Sequence, residues 1–248
     1  MNNLIRAELL KLRTIRTFTW SVIAALAFVP VSIALAIAKV GTPAGTILDS
    51  AEGFRNVIAA ASSGGVLVLL IGIVLMAGEF RFNTVTSTFL ITPERKRVVG
   101  AKLAASSLVG LGIGVASSLL TIAIALPWLA SKHVDLASHS SDIAIVLLGG
   151  IAATAISGIV GVGIGALVSN QTLAVTVTLI WSLLIEGMVV NLAPGLGRWL
   201  PGGAAGAMSG SATYSNLLPV WAAALLFAGY GVASAAAGSR FVLRRDIT

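Results

Sequence analysis

The chain has 248 residues, of which 57% are hydrophobic and 10% charged, with a net charge of +7. An ordinary soluble domain carries roughly 25% charged residues, so this composition excludes one and places the chain among integral membrane proteins. Without cysteine it holds neither a disulfide nor a thiolate metal site, and its basic charge has to be read by position rather than as a nucleic-acid surface.

Residues 2–18 set Ile5, Leu9 and Leu12 at i, i+4 and i+7, with Arg6, Lys11 and Arg13 turned away, the spacing of a helix lying on a membrane surface. Glu8 and Arg16 interrupt its apolar arc, and the same segment would also serve as a basic tail that only orients the first span. Uncharged runs of about 17–25 residues cross a bilayer core of ~30 Å. Six largely apolar stretches fit that length: Trp20–Ala38, Val57–Ala77, Val98–Leu126, Ile143–Val168, Leu173–Val190 and Leu217–Phe241, with Lys102 and Arg240 near the ends of the third and sixth and Glu186 within the fifth. Pro127-Trp128 is expected to end the third, and Ser169-Asn170-Gln171-Thr172 to divide the fourth from the fifth. The first run exceeds the about 7–15 residues of a signal-peptide core, so it is expected to stay in the membrane.

Six spans put both termini on one side. Of the 16 basic residues, all but Lys39, Arg55, Lys132 and Arg198 fall in the N-terminal tail, the stretch after the second run, or the C-terminus. The positive-inside bias makes those segments cytoplasmic. The expected fold is therefore all-α and polytopic, a single transmembrane domain with both termini inside. Its third and fourth spans carry small residues every fourth position: Ser106, Gly110, Gly114 and Ser118, then Gly149, Ala153, Ser157, Gly161, Gly165 and Ser169. Such ladders let helix backbones approach closely in lipid, here within the chain or across a dimer. Residues 191–216 are too apolar for a solvated loop and are expected to form short interfacial or re-entrant helices on the outer side.

Candidate chemistry is sparse. Glu186 is the acidic residue inside an expected span, five residues after Trp181. A charge there costs about 2.5–3.5 kcal/mol on insertion scales, so it either reaches the headgroups or protonates, or faces a cavity as part of a translocation pathway. His133, Asp135, His139 and Asp142 cluster in one outer loop, in a spacing that fits no defined metal pattern. The sequence has no G-x-S-x-G and neither histidine lies in an expected span, so no catalytic residue is expected. It also has no G-x-x-x-x-G-K-[ST], so ATP, if it drives this protein, is expected to bind elsewhere.

The longest polar interruption, residues 79–97, begins Glu79-Phe80-Arg81 and closes on Thr92-Pro93-Glu94-Arg95. Asn83 or Thr84 suits the N-cap of a short helix carrying Val85 and Phe89 at i and i+4, and Thr92-Pro93 suits the start of the third span. The pattern Gly78-Glu79, Thr84, Phe89-Leu90, Pro93, Arg95, Ala101-Lys102 resembles the loop after the second span of type-two ATP-binding-cassette (ABC) exporter permeases. The start, Ala7-Glu8-Leu9-Leu10-Lys11-Leu12-Arg13, the stretch Trp181 to Pro201, and the ending Arg244-Arg245-Asp246-Ile247 are similar to them as well.

This resemblance implies a six-span permease in the bacterial plasma membrane, paired with an identical or related permease and with two cytoplasmic ABC ATPase subunits. Those subunits would hold the ATP and Mg; this chain would bind no cofactor. It also implies that Glu79, Phe80, Arg81, Thr84, Val85, Phe89, Leu90, Pro93 and Arg95 belong to a coupling helix docked on the ATPase, beside the N-terminal amphipathic helix. A secondary, ion-coupled transporter and a non-transporting helix assembly are the alternatives.

Overall fold

A computed structural model describes residues 1–14, 16–40, 51–82, 95–134, 136, 139–168, 170–210 and 217–244. Every regular element in it is helical. They are α1 (Asn2–Thr14), α2 (Arg16–Lys39), α3 (Ala51–Ile58), α4 (Gly65–Arg81), α5 (Arg95–Ser131), α6 (Ser140–Leu167), α7 (Gln171–Ile180), α8 (Glu186–Leu192), α9 (Pro194–Gly197), α10 (Pro201–Ser209) and α11 (Val220–Arg244). A 3₁₀ turn, Ala59–Ser62, joins α3 to α4, and a π-helical turn, Trp181–Ile185, joins α7 to α8. Among the described residues, six helices are long and apolar enough to cross a membrane: Arg16–Lys39, Gly53–Arg81, Arg97–Ser131, Ser140–Leu167, Gln171–Leu192 and Val220–Gly238.

Local chemistry explains several boundaries. Asn170 precedes α7 in an extended conformation, and its side chain accepts the Leu173 N–H at 3.1 Å, an N-cap that separates α7 from α6. Pro127 was expected to end the third span, yet α5 continues through it to Ser131. Proline removes one backbone bond, but Leu129, two residues on, is fully buried among Val29, Ile33, Phe54 and Ile58, and that anchoring outweighs the loss. At its other end α5 starts at Arg95, and α4 extends to Arg81, so Glu79 to Arg81 form the last turn of a helix rather than open a loop.

Helix α6 is the centre of the bundle. Its small residues do not all face one neighbour. Gly161 and Gly165 lie against α4, where an added Cβ would overlap the Leu69 carbonyl oxygen and come within 2.9 Å of the Ile73 oxygen respectively. Gly110 and Gly114 of α5 lie against Thr154 and Ile151 of α6, and the Ser106 hydroxyl donates to the Gly158 carbonyl at 3.0 Å. Gly149 meets the Met208 carbonyl of α10. The ladders thus build the interior of one chain.

Three apolar clusters fill the gaps. At one end Leu12, Ile71, Leu75, Met76 and Val99 bring α1, α4 and α5 together. At the opposite end Val29, Ile33, Phe54, Val57 and Leu129 join α2, α3 and α5. Along the flank, Ile73, Val160, Ala204, Met208 and Phe227 pack α10 between α6 and α11. Residues Gly203 to Ser209 are largely buried, so this part of the apolar segment after the fifth span belongs to the core.

Candidate functional site: a buried ion cluster and a hydroxyl-lined cavity

The first charged centre sits where α1, α4 and α5 converge. Lys102 Nζ lies 2.8 Å from Glu8 Oε2 and 2.8 Å from Glu79 Oε1, and donates a longer bond to the Leu75 carbonyl at 3.4 Å. Lys11 Nζ closes the ring, 3.1 Å from both Glu8 Oε1 and Glu79 Oε1. Lys102 is 1% exposed and Glu8 is 5% exposed. Lys11 is half-exposed; partial burial works against its charge, but the Glu79 and Glu8 carboxylates outweigh this and raise its pKa above 10.5. Its stabilising contribution is therefore fully present below about pH 10.5 and is lost only as the pH climbs past the raised value.

None of this pairing was anticipated. Glu8 was expected to intrude on an apolar arc, and Lys102 to belong to the basic run after the second span. In the structure both lie inward, each the reason the other is tolerated. A signal was present: Glu8 shares a helix face with Leu12, and a charge on a buried face requires a partner.

Of the other residues expected in the coupling segment, Phe80 packs beside the Leu12 and Leu75 cluster, and Arg81 is exposed with its guanidinium 5.5 Å from the centre of the Phe82 ring. Arg95 is the first residue of α5. Thr84, Val85, Phe89, Leu90 and Pro93 lie outside the described residues.

The second centre is Glu186. The π turn that begins at Trp181 ends with the Glu186 N–H donating to the Trp181 carbonyl, five residues back. Glu186, the first residue past that wider turn, faces inward, and π turns of this kind are frequent at functional sites. Glu186 is 4% exposed, and its Oε1 accepts N–H bonds from Gly202 at 2.6 Å and Gly203 at 3.2 Å. Those amides open α10, where Pro201 supplies the first residue, so the carboxylate meets the positive end of a helix. Trp199 is held from the other side by the Tyr230 hydroxyl, which donates to its carbonyl. Replacing Glu186 by Ala would strand two amide donors, with an expected cost of about 1.5–3 kcal/mol in thermal unfolding. Gln, which keeps a carbonyl acceptor, should recover most of it.

Glu186 borders a cavity of about 250 Å³ shared by α4, α6, α10 and α11. Ser182 and Glu186 line it, whereas Trp181 does not. Of its hydroxyls, Ser62, Ser63, Thr154, Ser157, Ser182 and Ser209, the sequence pattern marks only Ser157, as a ladder position.

Compared against protein-family models and curated proteins, the chain matches none. Asp142, in the first turn of α6, pairs with Arg55 of α3 at 2.7 Å, and the His139 ring lies 4.6 Å from that of Phe54; Asp135 is outside the described residues. Among the described residues no three His, Asp or Glu gather as a metal site.

Proposed function

We propose that this multi-pass membrane protein is the permease subunit of an ATP-driven ABC exporter, working in a bacterial plasma membrane with both termini cytoplasmic. It would pair with a second permease, identical or related, and with separate ABC ATPase subunits that hold ATP and Mg. The observation that supports this most is the Glu8–Lys102–Glu79 cluster. It locks α1 to α4 and α5, the two helices between which residues 83–94 run.

Force applied to 83–94 by an ATPase would move α4 and α5 together, because buried ion pairs resist separation in a low-dielectric interior. Helix α4 carries Gly65, Val66 and Leu69 into the cavity wall, so the displacement would reach Glu186's surroundings. Affinity purification of the chain from its native membrane is expected to bring a P-loop ATPase with it, and Phe89→Glu is expected to remove that partner and stop transport. An ion-coupled transporter is favoured instead by the burial of Glu186 beside the cavity. Retrieval of no ATPase, with flux that follows a proton gradient, would establish that second reading.

A further inference from the structure

Of the six hydroxyls among the described lining residues, four are held as acceptors, while Ser63 and Ser182 are not so fixed. Ser62 donates its hydroxyl proton to Ala59 O, Thr154 to Gly150 O, Ser157 to Ala153 O and Ser209 to Ala205 O, all within their own helices. Each therefore presents lone pairs, not a proton, to the space they line. Ser63 Oγ is buried with no partner in the described structure, and buried polar atoms left so ask for a ligand or a water. Glu186 adds a carboxylate, and no Lys, Arg or His is among the described lining residues. The remaining wall is apolar, with Leu69 and the ring of Phe227.

We infer that the cavity binds a small organic cation, a primary or secondary ammonium, through the Glu186 carboxylate and the ring of serine and threonine lone pairs. The Glu186 carboxylate selects against anions: four of the six hydroxyls offer them no proton, and no positive side chain is among the described lining residues to offset its charge. Size selects further. About 250 Å³ is near eight water volumes of ~30 Å³ each and falls just below the about 300–1,000 Å³ of drug-sized sites. A bare metal ion would leave most of that space to water, whereas an ammonium on a short apolar body fills both halves, its charge on Glu186 and its body on Leu69 and Phe227. The binding claim stands without any ATPase; only its interpretation as a transported substrate rests on the exporter proposal.

The test is equilibrium binding of 2-phenylethylammonium to the full chain in lipid nanodiscs, with empty nanodiscs subtracted and phenylacetate as the anionic counterpart. Saturable binding of the ammonium and none of phenylacetate is expected. Glu186→Gln, which keeps an acceptor for the Gly202 and Gly203 amides, should weaken it about tenfold. Ser157→Ala, remote from the α10 terminus, should weaken it about threefold without altering thermal stability. Equal binding of phenylacetate, or full affinity retained in either variant, would overturn the assignment. A positive result in a chain that retrieves no ATPase would leave the site standing and remove the exporter.

Discussion

Replacing Lys102 by Met is expected to destabilise the protein by about 3–5 kcal/mol, the usual result of removing one member from a buried ion pair. Two carboxylates, Glu8 and Glu79, would be left facing each other with only Lys11 between them, and Lys11 is half in solvent. The loss comes from stranded charge rather than from lost attraction. Accordingly, the triple replacement Lys102→Met, Glu8→Gln, Glu79→Gln should recover most of the deficit, since a neutral cluster of similar volume carries no such burden. Thermal unfolding in one detergent compares the three proteins. A second readout follows α1 directly: the chain has no cysteine, so a spin label on Arg6→Cys reports only that helix. Its mobility should rise in the single mutant and fall back in the triple. An unchanged melting point in Lys102→Met would show that the cluster does not hold α1 down.

How much of this was legible beforehand depends on the range over which each feature is encoded. Span number is a local property, because hydropathy over some twenty residues decides it, and the six long apolar helices follow from runs readable in order. The break at Asn170 is equally local, since one side chain caps one helix. The ion cluster is not: Lys102 and Glu8 are 94 positions apart, so Glu8 reads alone as a flaw in an apolar arc and Lys102 as one more basic residue of its run. Pro127 misled because a local breaker competes with tertiary burial, and Leu129 decided that contest. At the cavity, Glu186 was visible as an anomaly, yet its partners Gly202 and Gly203 were not, because backbone amides carry no sequence signature. The segment that most prompted the exporter reading, Thr84 to Pro93, lies outside the described residues, so the case for a coupling contact rests on the helices at either end of it.

A close contact between α4 and α6 sets up the other large effect. A Cβ added at Gly161 would overlap the Leu69 carbonyl oxygen and lie 3.1 Å from Gly72 Cα, and one added at Gly72 would come within 2.5 Å of the Gly158 oxygen. All the obstructing atoms are backbone, so no rotamer change relieves them, and α4 and α6 must part. Gly161→Ala is expected to cost about 1–3 kcal/mol or somewhat more, and Gly161→Leu to prevent folding. Gly112→Ala and Gly187→Ala are the controls: nothing lies within 4 Å of either added Cβ, and alanine's helix preference should leave stability equal or higher by up to about 1 kcal/mol. A Gly161→Ala protein that melts with the unaltered chain would refute the close-packing argument. The consequence extends to ligand binding, because Leu69 also lines the cavity, opposite Ala153, Thr154 and Ser157 of α6. Spreading those helices moves the acceptors away from Glu186. Below its melting temperature, Gly161→Ala should therefore bind 2-phenylethylammonium more weakly than Gly112→Ala does, linking the spacing of two glycine-faced helices to the chemistry of the space between them.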